Sequence, residues 1–149
     1  MTKYLYIGIF LVCFSCNKDK RASDFLIKGV TWDVSSLTVD GNALPNLGTW
    51  EVSQGVDIYK GVPEVIWSTN GSNSSIFEWQ FHEKANKFQL NYKQDSLKCD
   101  GVNLGTMDYQ TYRLTGTYTV EKHRNSKMIF KSSSTIGYPN KEVIILIEK

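Results

Sequence analysis

The chain has 149 residues, with 17 Lys and Arg against 15 Asp and Glu, a formal charge of +2. Basic and acidic side chains are interspersed along its whole length, which excludes the basic patch or stripe that marks a nucleic-acid-binding surface. Its length suits one domain with a real core.

At the N-terminus Lys3 supplies a positive charge and residues 4–14 form a short apolar run that ends in Phe14-Ser15-Cys16. The run falls short of the roughly 20 residues needed to cross hydrocarbon, and Asn17-Lys18-Asp19-Lys20-Arg21 stops it abruptly. This arrangement resembles a bacterial lipoprotein signal peptide, with an ordinary secretory signal peptide as the alternative. The resemblance implies that residues 1–15 are removed and that Cys16 becomes the lipid-bearing N-terminus. Two or three acyl chains of the palmitate kind, at about 0.8 kcal/mol per buried methylene, make such an attachment effectively permanent. Residues 16–24 are then expected to serve as anchor and flexible tether, and residues 25–149 as the folded domain. Lys18-Asp19 resembles the surface-export signal that follows the lipidated cysteine in Bacteroidetes.

Beyond the tether the pattern has period two, with no helical stripe longer than about two turns, which predicts an all-β domain. The first strand is expected within 29–39, carrying Trp32, Val34 and Leu37, and Asp40-Gly41-Asn42 turns it. Strands follow at 49–52 and at 62–68, the second carrying Trp67, before a turn at Asn70-Gly71-Ser72-Asn73. The clearest alternation is Phe77-Glu78-Trp79-Gln80-Phe81-His82 and Lys87-Phe88-Gln89-Leu90-Asn91-Tyr92, joined through residues 83–86. These segments are expected to pair as a hairpin with Phe77, Trp79, Phe81, Phe88, Leu90 and Tyr92 on one face.

Residues 112–120 read as a strand with Tyr112, Leu114, Tyr118 and Val120 inward. Gly116 on that same face calls for a bend or close packing. Turns at 123–126 and 137–140 lead into strands at 128–130 and 143–147, the last apolar on both faces. Eight or nine antiparallel strands of this spacing close as a single barrel or stack as a β-sandwich, and periodicity does not choose between them. The opening Leu26-Ile27-Lys28-Gly29-Val30-Thr31-Trp32, the Leu37-Thr38-Val39-Asp40-Gly41 turn and the 114–120 segment resemble the lipocalin-like lipoproteins of Bacteroidetes. That resemblance implies a lipocalin-like barrel. In the lipocalin Gly-x-Trp signature the tryptophan closes the barrel floor; here two residues, Val30 and Thr31, separate Gly29 from Trp32, where the signature has one.

No catalytic constellation emerges, and the chain is not expected to be an enzyme or to need a cofactor. His82 and His123 are the two neutral-pH bases, the first on a wet strand face with Glu78, the second in a turn. Asp95, Asp100 and Asp108 match no calcium-loop spacing. Cys99 reads as a small buried hydrophobe, and Asp95-Ser96-Leu97 resembles an O-glycosylation acceptor of exported Bacteroidetes proteins, which implies modification at Ser96. The expected function is therefore binding by a cell-envelope lipoprotein held in the outer membrane. Trp32, Trp79, Phe81, Phe88, Tyr92 and Tyr118 are the candidate lining for a small apolar ligand. The alternative is an accessory subunit of an outer-membrane protein complex, docking through Trp50, Tyr59, Trp67 and residues 143–147.

Overall fold

The computed structural model describes residues 18–45, 47–53, 63–69, 73–93, 106–124 and 126–149. Its strands are β1 (Thr31–Val39), β2 (Asn42–Ala43), β3 (Thr49–Ser53), β4 (Glu64–Thr69), β5 (Asn73–His82), β6 (Lys87–Tyr92), β7 (Gly116–Arg124), β8 (Lys127–Ser132) and β9 (Val143–Glu148). Each pairs antiparallel with its neighbour, and β9 bonds to both β8 and β1. The circuit therefore closes as a single eight-stranded up-and-down barrel, with β2 as an extra strand on the end of β1. Closure leaves the eight strands no free edge. The all-β domain expected from the alternation closes as a single barrel, and not as the sandwich.

Alternation decides which side chains fill the barrel. The expected hairpin forms in the register Phe77↔Tyr92, Trp79↔Leu90 and Phe81↔Phe88. Five of its six apolar residues are buried, and Tyr92 at the strand end is half-buried. On β9, Val143, Ile145 and Ile147 face the core while Ile144 and Leu146 are half-buried on the outside, so two flanking strands explain the doubly apolar segment. Gly116 fits its site because a Cβ there would stand 3.3 Å from the Ser134 carbonyl. This is the close packing that an inward glycine implies.

Two helices depart from the sequence reading. Helix α1 (Lys18–Lys28) occupies most of the stretch read as tether. Its charged residues conceal a stripe in which Ala22 and Leu26, one turn apart, are fully buried and Phe25 packs beside them. It lies over one end of the barrel. There the Asp19 carboxylate accepts the Ala85 N–H of the β5–β6 turn, and the Leu26 carbonyl accepts the Trp32 indole N–H at 2.9 Å.

Helix α2 (Met107–Arg113) covers part of the opposite end and begins before the segment read as a strand from residue 112. Thr106 caps it by accepting the Tyr109 N–H at 3.2 Å. Met107, Thr111 and Leu114 recur at helical spacing and are buried, whereas Tyr112 is 41% exposed instead of inward. The strand starts only at Gly116.

Val30, just after α1, holds φ = 58° and is 59% exposed. A β-branched residue is strained in this left-handed region, which glycine enters freely. Val30→Gly is expected to raise stability by about 0.5–1 kcal/mol in urea unfolding, strain relief outweighing the added freedom of the unfolded chain.

Candidate functional site

The barrel interior is the candidate site, and aromatic rings from different walls meet in it. Trp50 on β3 lies with its ring centroid 5.6 Å from Trp67, 5.0 Å from Phe77, 6.4 Å from Phe88 and 5.9 Å from Phe130. Because Phe130 sits on β8, the Trp50–Phe130 contact crosses the barrel, and at this level the interior is occupied by side chains. Phe88 lies nearly parallel to both Trp50 and Trp79, at 17° and 22°, and is 4.4 Å from Phe130. Edge-to-face and offset contacts of this kind add about 0.5–1.5 kcal/mol each beyond area burial.

Of the six residues read as ligand lining, Trp32, Trp79, Phe81, Phe88 and Tyr118 are buried, and Tyr92 is half-buried with its ring 6.2 Å from Tyr112 of α2. The five buried ones share one hydrophobic core but not one ring stack. Trp79, Phe81 and Phe88 pack together. Trp32 instead sits beneath α1, with Phe25 at 5.5 Å and the Lys149 ammonium 5.0 Å above its ring. Gly29 is required beside it, since a Cβ there would fall 2.1 Å from the indole nitrogen. The Tyr118 hydroxyl donates to the Leu114 carbonyl at 2.5 Å, and burial pushes its pKa far above the usual tyrosine value, keeping it a protonated donor.

Trp50 and Trp67, offered by the sequence reading as docking surface, are both fully buried. Alternation places them with Val52 and Val65 on the inward face, where the Trp67 indole donates to the Leu47 carbonyl at 2.6 Å.

One feature of the interior escaped sequence reasoning. Among the described residues the buried indole N–H groups of Trp50 and Trp79 find no acceptor, although Trp32 and Trp67 both satisfy theirs. A buried donor left unpaired costs about 1–3 kcal/mol. Nothing in the sequence distinguishes these two tryptophans from the other pair, because the difference lies in which backbone carbonyl each ring reaches.

His82 is exposed on the outer face of β5, as its strand position predicts. His123 lies in β7, paired in register with Met128, not in the turn. Asp108 is in the first turn of α2. Among the described residues no three His, Cys, Asp or Glu side chains converge as a metal-ion site. Cys16, Tyr59, Asp95, Ser96, Cys99 and Asp100 lie outside the described residues. On the outer surface, Lys131 is held above its ordinary pKa by its hydrogen bond to Glu142, and Glu148 below its own by Lys127 and then Ser35.

The fold defines a class, the small closed up-and-down barrel with a helix over each end. Searches of protein-family models, curated proteins and solved structures find no match to this chain.

Proposed function

We propose that this chain is a lipid-anchored lipoprotein of the bacterial outer membrane whose lipocalin-like barrel is a non-catalytic binding module for a small, mainly apolar ligand bearing a hydrogen-bond acceptor. The carrying observation is the pair of buried indole donors, Trp50 and Trp79, that find no acceptor among the described residues of the aromatic core. A ligand oxygen that reached either nitrogen would recover the hydrogen bond that the folded chain forgoes. The rings already present limit the guest to a small one.

Support for the lipocalin-like reading comes from Trp32, which stands under α1 at one closed end of the barrel, the place the family gives its signature tryptophan. The anchor reading rests on Cys16 and the residues before it.

Native mass spectrometry of the full chain purified from membranes tests the binding. The wild type is expected to retain a non-covalent mass that Trp50→Phe and Trp79→Phe each diminish. Freed of ligand, the Trp79→Phe protein is expected to match the wild type within about 1 kcal/mol, because loss of packing is offset by loss of an unpaired donor. A wild type that carries no such mass and gains stability from both substitutions would overturn the proposal.

The accessory-subunit reading keeps one observation in its favour. Tyr112 and Ile136, at the end of the barrel opposite α1, are 41% and 52% exposed. Co-purification of a defined envelope complex, lost in a Tyr112→Ser, Ile136→Ser variant with an intact fold, would favour it over ligand binding.

A further inference from the structure

Resting on the anchor reading above, we infer that the α1 end of the barrel is a membrane-contact surface, with Lys18, Arg21 and Lys84 facing lipid phosphates. Only Asn17 separates Cys16 from the first residue of α1. Two peptide units span at most about 7 Å, so the start of the helix stays within that reach of an acylated Cys16. The helix cannot swing away on a tether, because Ala22 and Leu26 are fully buried in the barrel core and Asp19 binds the Ala85 N–H. Lipid and barrel are thereby coupled through a fixed element.

The surface so placed carries suitable charge. Lys18, Arg21 and Lys84 line an open recess of about 320 Å³ between α1, the β5–β6 turn and β7. Among the described residues none of the three forms an ion pair. Of the acids nearby, Asp19 is engaged by Ala85, Asp24 by Lys20 at 3.2 Å, and Glu121, on the recess wall, stands 3.9 Å from Lys131, while Glu83, exposed beside Lys84 in the turn, is not part of the recess lining. The turn that presents Lys84 is fixed in an unusual conformation, with Glu83, Lys84 and Ala85 all at positive φ, and its tie to Asp19 holds it against the helix. Exposed Val30 lies at this same end, after the last turn of α1. Unpaired cations beside an anchored cysteine suit a layer of lipid phosphates.

The test uses the acylated full chain in vesicles of phosphatidylethanolamine and phosphatidylglycerol, in a Cys99→Ser background. A fluorophore is attached through Lys28→Cys at the α1 end or Lys141→Cys at the opposite end. Spin-labelled lipid headgroups are expected to quench the Lys28 probe several-fold more strongly than the Lys141 probe. Lys18→Glu, Arg21→Glu and Lys84→Glu together are expected to shrink that difference. Equal quenching of both probes on protein whose mass shows acylated Cys16 would overturn the membrane-contact surface and leave the anchor intact. Absence of acyl mass would overturn the anchor reading, and this inference with it.

Discussion

Replacing Trp50 with alanine is expected to lower stability by about 3–5 kcal/mol, the range for deleting a large aromatic side chain from a packed core. Trp50 is fully buried and its ring contacts those of Trp67, Phe77, Phe88 and Phe130, so its removal strips one face from several aromatic pairs at once. Single domains have roughly 5–15 kcal/mol in total, and the variant is therefore expected to stand near the limit of folding at physiological temperature. Phenylalanine at the same position keeps much of the ring and removes the unpaired N–H, so Trp50→Phe should cost far less. Urea unfolding of the two variants separates the contributions. Equal losses would mean that the donor, not ring packing, sets the stability of this site.

The second large effect concerns α1. Leu26→Ala is expected to cost about 2–5 kcal/mol, as for other buried leucines. The Leu26 side chain is fully buried, and the carbonyl of the same residue holds the Trp32 indole. A domain that started at residue 25, with a loose segment before it, would scarcely notice changes earlier in the helix. The structure predicts otherwise: Ala22→Asp, which puts a charge at a fully buried position, should also destabilise the barrel, whereas Lys20→Asp at an exposed position should change little. Thermal melts of the three variants check this. Unchanged melting of Ala22→Asp would detach α1 from the domain.

These expectations show which parts of the fold were legible in the chain. The hairpin of β5 and β6 was, because Phe77, Trp79 and Phe81 alternate with polar residues and face Tyr92, Leu90 and Phe88 in an unbroken register. Helix α1 was not, since two buried residues among so many charges leave only a narrow apolar stripe, and tertiary contact with the barrel end supplies what propensity does not. At α2 two periods overlapped. Tyr112, Leu114 and Tyr118 fit period two, while Met107, Thr111 and Leu114 fit the helical one, and the Thr106 cap decides for the helix.

Within the site, the aromatic content was legible and its arrangement was not. Parity along β3 and β4 points Trp50 and Trp67 inward, whereas the docking reading treats them as exposed aromatics of the kind enriched at interfaces. Which indoles find a carbonyl is a matter of ångströms set by closure of the barrel. The Trp67 ring reaches Leu47, brought near by the chain between β2 and β3, while Trp79 reaches no acceptor among the described residues.

Lipid anchoring at Cys16, as proposed, is read out by intact mass spectrometry of the chain from detergent-solubilised native membranes beside a Cys16→Ser variant. The account predicts a wild-type protein that begins at Cys16 and carries the mass of two or three acyl chains, with no such addition on the variant. A wild-type chain with no acyl mass at Cys16 would contradict it.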